Sequence, residues 1–83
     1  MFILIKEVNN VFTPLIAQKS EFGEDNPELL RFLDLQKKES FTSTIFEAYT
    51  SKEDEKAYFS GDSGKIKELL NKNMRAFYTH YGT

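Results

Sequence analysis

Residues 2–17 read Phe-Ile-Leu-Ile-Lys-Glu-Val-Asn-Asn-Val-Phe-Thr-Pro-Leu-Ile-Ala. The first seven are rich in branched and aromatic side chains, which suit a pleated, packed surface, so 2–8 is predicted as a strand. Asn9-Asn10 follows, and asparagine tolerates positive φ, so this pair is predicted to form a tight hairpin turn. Residues 11–17 form the return strand. Pro14 cannot donate to a strand ladder, which places that strand at an edge or gives it a bulge.

Working outward, residues 18–26 are polar and contain Gly23, as in a loop. Asn26-Pro27-Glu28 is a helix start: Asn caps, Pro fits the first turn, and Glu suits the positive end of the dipole. Leu29, Phe32 and Leu33 share one face of a helix over 27–38, and Leu35 falls off that face. Residues 41–49 carry strand formers, with Phe41, Ile45 and Tyr49 pointing one way and Phe46 and Ala48 the other. The polar segment from Ser51 to Glu55 reads as a turn, and 56–60 as a fourth strand. Gly61-Asp62-Ser63-Gly64 then opens a helix over 64–80, because Ile66, Leu69, Leu70, Met74, Phe77 and Tyr81 recur at helical spacing. Asn73 falls within that stripe, so burial there requires a hydrogen-bond partner.

The expected fold is therefore α+β, in the order β-β-α-β-β-α, as a four-stranded antiparallel sheet with two helices packed on one face. Sliding the chain by 40 residues aligns Ile5 with Ile45, Glu7 with Glu47, and Glu28-Leu29-Leu30 with Glu68-Leu69-Leu70. That match suggests two ββα halves.

Composition bounds the function. Eighty-three residues make one domain, 1–83, and a chain of this length buries only ~60–65% of its unfolded surface. Apolar residues are 40% of the chain, with eight Phe and four Tyr, which is enough for one core and leaves little room for a deep pocket. The 11 basic and 13 acidic residues give a net charge of -2, which is neither a nucleic-acid nor an acidic-mimic signature. The absence of Cys removes disulfides, thiolate nucleophiles and Cys-based zinc sites. The longest apolar run, Phe2 to Ile5, is too short for a signal peptide or a membrane span, so the expected location is cytoplasmic.

No motif in the chain carries chemistry. Gly61-Asp62-Ser63-Gly64-Lys65 sits where a phosphate loop would, but a P-loop needs Gly where Phe59 stands and Ser or Thr where Ile66 stands. His80 is the sole histidine and has no carboxylates at a supporting helical spacing. The chain is accordingly expected not to be an enzyme and to need no cofactor or metal.

What remains is surface. Glu21, Glu24, Asp25 and Glu28 place four negative charges in eight residues. They read either as a binding surface for a basic partner patch or as a solvated loop with a dipole-matched first turn. Leu35 is a candidate exposed contact. Lys65, Lys72 and Arg75 form the basic side of the last helix, suited to phosphates or an acidic protein, and equally to plain solvation. The 11–17 edge is open to strand addition. The reading that fits best is a protein-binding module that docks on a larger protein as inhibitor, adaptor or regulator. Small, motif-poor, mildly acidic chains of this type are common among phage and mobile-element accessory proteins. The alternative is nucleic-acid binding through the basic side of the last helix. A homodimer is compatible with both readings.

Overall fold

Burial of β1 on both sides organises the chain. The computed structural model describes residues 1–80. β1 (Phe2–Val8) and β2 (Val11–Gln18) form the expected hairpin, and Asn9 and Asn10 both take positive φ, at 50° and 66°. Such a pair of left-handed residues matches the right-handed twist of the flanking strands. Pro14 lies on β2, which is an edge strand. There, too, the register shifts between Leu4 and Ile5, leaving Leu15 as the extra residue of a bulge. A prolyl nitrogen with no hydrogen is tolerated at such a place.

Helix α1 (Pro27–Lys37) starts as its sequence indicates, with the Asn26 side chain accepting from the backbone N–H groups of Glu28 and Leu29. β3 (Ser43–Tyr49) pairs antiparallel with β1. The chain then departs from expectation in two places. Residues 56–60 are not a strand. Helix α2 (Lys52–Tyr58) begins within the segment read as a turn, with Ser51 capping the N–H of Asp54. Glu53, Asp54 and Glu55 in its first turn complement the helix dipole, so the acidic run is a helix start. The last helix also ends early. α3 spans Ser63–Asn73, and β4 (Met74–His80) follows without a break. Tyr81, placed on the helical stripe by spacing, lies outside the described residues.

β4 pairs antiparallel with β3, giving the sheet order β2-β1-β3-β4. Ala76, Tyr78 and His80 are half-buried while Arg75, Phe77 and Thr79 are exposed, the period of two that a strand imposes. Met74 and Phe77, three apart, suit a helical stripe equally well by spacing alone. Among the described residues the four-stranded antiparallel sheet of an α+β fold is as expected, but with three helices, in the order β-β-α-β-α-α-β. The second half is thus not a ββα unit.

The helices also do not share a face. α1 covers one side of the sheet, where Leu4, Phe22, Leu29 and Ile45 form a core. α2 and α3 cover the other, where Ile3, Ile5, Phe12 and Ala48 pack with Tyr58, Ile66 and Leu70. The run Ile3-Leu4-Ile5 explains this arrangement, since all three side chains are fully buried. Consecutive strand residues point to opposite faces, so a layer on one side alone would leave half of them in water. Each buried Ile or Leu is worth about 1.5–3 kcal/mol, and covering both faces keeps all three contributions.

Tyr58 fills the centre of the α2–α3 core with 0% exposure. Its hydroxyl lies beside the Asn73 side chain but makes no hydrogen bond of normal geometry. Burial pushes its pKa above the usual 10.0. Asn73 opposes that shift and the Asp54 charge adds to it. The unfolded chain therefore loses this proton at a lower pH than the folded protein. Stability is full below pH 10.0 and declines as pH rises through the window above it, at no more than ~1.4 kcal/mol per pH unit for one group. Tyr58→Phe is expected to flatten that decline in urea unfolding followed from about pH 9 to pH 11. An unchanged slope would show that Tyr58 ionises as freely folded as unfolded.

Candidate interaction surface

α1 divides its side of the sheet into two flanks. Gln36 holds it in place. This side chain is 2% exposed, and its Nε2 donates to the Ser43 carbonyl at 2.6 Å and the Tyr78 carbonyl at 3.3 Å. One amide thus ties the helix to both β3 and β4. Nothing in its spacing marks Gln36, which follows Leu35 on an otherwise amphipathic helix.

The flank toward β2 holds a cleft of about 250 Å³ whose floor includes Leu15, Phe32 and Ile45. Leu35 lines it at 49% exposure, so the helix continues far enough to present Leu35 as an exposed apolar residue. Lys6 and Glu39 pair at the rim, and the Lys6 ammonium sits 5.7 Å from the centre of the Phe41 ring. Phe41 is 44% exposed. Glu39 Oε2 is buried with no partner among the described residues. The arrangement is a small, mostly apolar cleft with one exposed hydrophobic side chain, Leu35, on its wall, the Lys6–Glu39 pair at its edge, and Phe41 beside that pair. Slots of this kind accept an apolar anchor side chain from a partner. Sequence reasoning reached Leu35 but not its cleft neighbours Leu15 and Ile45, which meet it only through the bulge in β2 and the packing of α1 on the sheet.

The flank toward β4 is a wider groove of about 670 Å³, with Leu30 and Asp34 on the helix side and Tyr78 and Thr79 on the strand side. His80 also borders it, with Nε2 3.3 Å from the Glu39 carbonyl oxygen.

Arg75 is separated from the other basic candidates and joined to an acidic one. Arg75 is the extra residue where the β3–β4 register shifts between Glu47 and Ala48, so it projects from a bulge in β4 and not from a helix beside Lys72. Its guanidinium donates to Glu21 at 2.9 Å and to Glu47 at 3.5 Å. Glu47 is fully buried on the sheet, and its Oε2 also accepts from the Phe22 N–H at 3.2 Å. The loop after β2 is thereby held down by Phe22 in the core and by Glu21 on Arg75. Glu24 and Asp25 are exposed at the turn before α1, while Glu28 in the first turn lies 4.0 Å from Arg31. Lys65 and Lys72 lie exposed on α3, on the other side of the sheet, and neither forms an ion pair among the described residues. No group of three or more His, Cys, Asp or Glu suited to a metal ion occurs among the described residues, and no helix among them is long and apolar enough to cross a membrane.

The Glu47–Arg75 contact makes Arg75 structural. Removing the cation from a buried carboxylate is costly, and the half-exposed guanidinium moderates the loss. Arg75→Ala is expected to cost about 2–3 kcal/mol in urea unfolding, and the double variant Arg75→Ala/Glu47→Leu to recover most of it. Equal stability of Arg75→Ala and the unaltered protein would remove the contact's importance.

No protein-family model, no curated protein and no solved structure matches this chain.

Proposed function

We infer that the chain is a non-enzymatic protein-binding module that docks on a larger protein as an inhibitor, adaptor or regulator. The observation that carries this reading is the cleft lined by Leu15, Phe32, Leu35 and Ile45, with Leu35 on its wall and Phe41, beside Lys6, both left half in solvent. Such side chains cost solubility unless a partner covers them, and a small cleft beside them suits one inserted apolar side chain. The partner presents a short apolar anchor with a charge placed to meet the Lys6–Glu39 rim. No arrangement of nucleophile, base and orienting group competes with this reading among the described residues.

Nucleic-acid binding is the second reading, motivated by Lys65, Lys67 and Lys72, none of them ion-paired among the described residues. It is weakened by Arg75, which is engaged by two carboxylates of its own chain.

Affinity capture from cells that express the chain separates the two. A stoichiometric protein partner is expected with the unaltered chain and with Lys72→Glu. Leu35→Glu is expected to weaken that partner's binding roughly thirtyfold, the loss that a 2 kcal/mol anchor contact implies. Capture unaffected by Leu35→Glu, or a gel shift with DNA or RNA at low salt that Lys72→Glu abolishes, would overturn the docking reading.

A further inference from the structure

The cleft on the β2 flank of α1 has a definite hydrogen-bonding character. Its body is apolar, built from Leu15, Phe32, Leu35 and Ile45. At about 250 Å³ it is smaller than the ~300–1,000 Å³ of small-molecule sites, and it suits a single side chain. Three polar residues also line it: Lys6, Gln36 and Glu39.

The donors of these three residues are already engaged. Gln36 is 2% exposed, and its Nε2 donates to the Ser43 and Tyr78 carbonyls, which uses both amide hydrogens. Toward a guest Gln36 offers only a carbonyl oxygen. The Lys6 ammonium is held by Glu39 Oε1 and the Phe41 ring. An acceptor remains unused. Glu39 Oε2 is buried and has no partner among the described residues, although a buried carboxylate oxygen ordinarily accepts a hydrogen bond. The last torsion of a glutamate is soft, so a small rotation turns this oxygen toward a guest. The ion pair at the rim is neutral as a whole and selects neither sign of charge. A charged group carried into the apolar body would lose its hydration. The cleft is therefore complementary to a neutral, apolar side chain that carries a hydrogen-bond donor.

We propose that the anchor this cleft accepts is a tryptophan of the partner protein, its ring among Leu15, Phe32, Leu35 and Ile45 and its indole N–H donated to Glu39 Oε2. The proposal rests on the docking reading above and adds the identity of the inserted side chain. Tryptophan combines a large apolar body with one neutral donor and no acceptor. Phenylalanine fills the space and leaves Oε2 unsatisfied. Tyrosine donates, but its hydroxyl oxygen brings an acceptor where the donors are already engaged. Lysine and arginine carry charge into the apolar lining. Any charge that the partner sets against the Lys6–Glu39 rim comes from a residue beside the anchor. This chain contains no Trp, so the anchor cannot come from a second copy of it.

The lack of Trp also makes the test direct, because all indole fluorescence then comes from the probe. N-acetyltryptophanamide titrated with the full chain is expected to shift its emission to shorter wavelength, with a Kd on the order of 1 mM. The same probe methylated on the indole nitrogen keeps the ring and loses the donor. It is expected to bind roughly tenfold more weakly, and N-acetylphenylalaninamide to compete at a similarly reduced affinity. Leu35→Glu is expected to abolish binding of both indole probes, and Glu39→Leu to bring their affinities together. The comparison of the two probes on the unaltered chain stands whether or not either variant folds. Equal affinity of the two probes for the unaltered chain, or binding undiminished by Leu35→Glu in a folded protein, would overturn the tryptophan anchor. If capture of the protein partner still depends on Leu35, that result leaves the docking reading in place. Capture that does not depend on Leu35 would overturn both.

Discussion

Everything else in the structure follows from β1 being buried on both faces. Ile3, Leu4 and Ile5 are consecutive and fully buried, so the sheet needs a layer on each side. α1 supplies one layer and the α2–α3 pair the other. The strand must also be paired along both of its long sides, because its backbone is out of reach of water. β2 and β3 do this. β3 is buried in turn and needs its own outer neighbour, and β4 fills that place. α3 accordingly ends at Asn73 and the next residue already belongs to β4.

The second constraint is the buried carboxylate of Glu47. On a sheet face otherwise covered by Leu4, Ile45 and Phe22 it is, among the described residues, the one acidic side chain with no exposure. A lone charge there would be strongly unfavourable. The bulge at Arg75 aims a guanidinium at it, and the Phe22 N–H adds a second donor. The same guanidinium reaches Glu21, so the β3–β4 bulge anchors the loop leading into α1. The placement of α1 relative to β4, and with it the shape of both flanking clefts, depends on this cluster and on the Gln36 amide.

Local signals were legible wherever a single residue type has a strong backbone preference. Asn9-Asn10 marked the hairpin, Pro14 marked an edge or a bulge, of which β2 has both, and Asn26-Pro27-Glu28 marked the start of α1. Signals that rest on spacing were ambiguous. Ser51 to Glu55 reads as a polar turn until the Ser51 cap is seen to open a helix. Met74 and Phe77 extend the helical stripe of Ile66, Leu69 and Leu70, and on a regular strand residues three apart would face opposite ways; the bulge at Arg75 is what brings both to one face of β4. Among the surface candidates, Leu35 was legible because it falls off an apolar stripe. Arg75 was not, because its partners lie 54 and 28 positions away in the chain.

By itself, then, the sequence determined the α+β class, the first hairpin, the cap and course of α1, the onset of α3 and the lack of a recognisable catalytic motif. Each of these rests on residues within a few positions of one another. Only the tertiary structure decided that helices lie on both faces, that the chain after Asn73 turns to strand, and that Arg75 serves Glu47 and Glu21 instead of a basic helix face. Those choices are made by burial and by pairing across the sheet. A residue's helical or strand preference is worth a fraction of a kcal/mol to about 1 kcal/mol, while leaving β3 without a neighbour or Glu47 without a cation costs several.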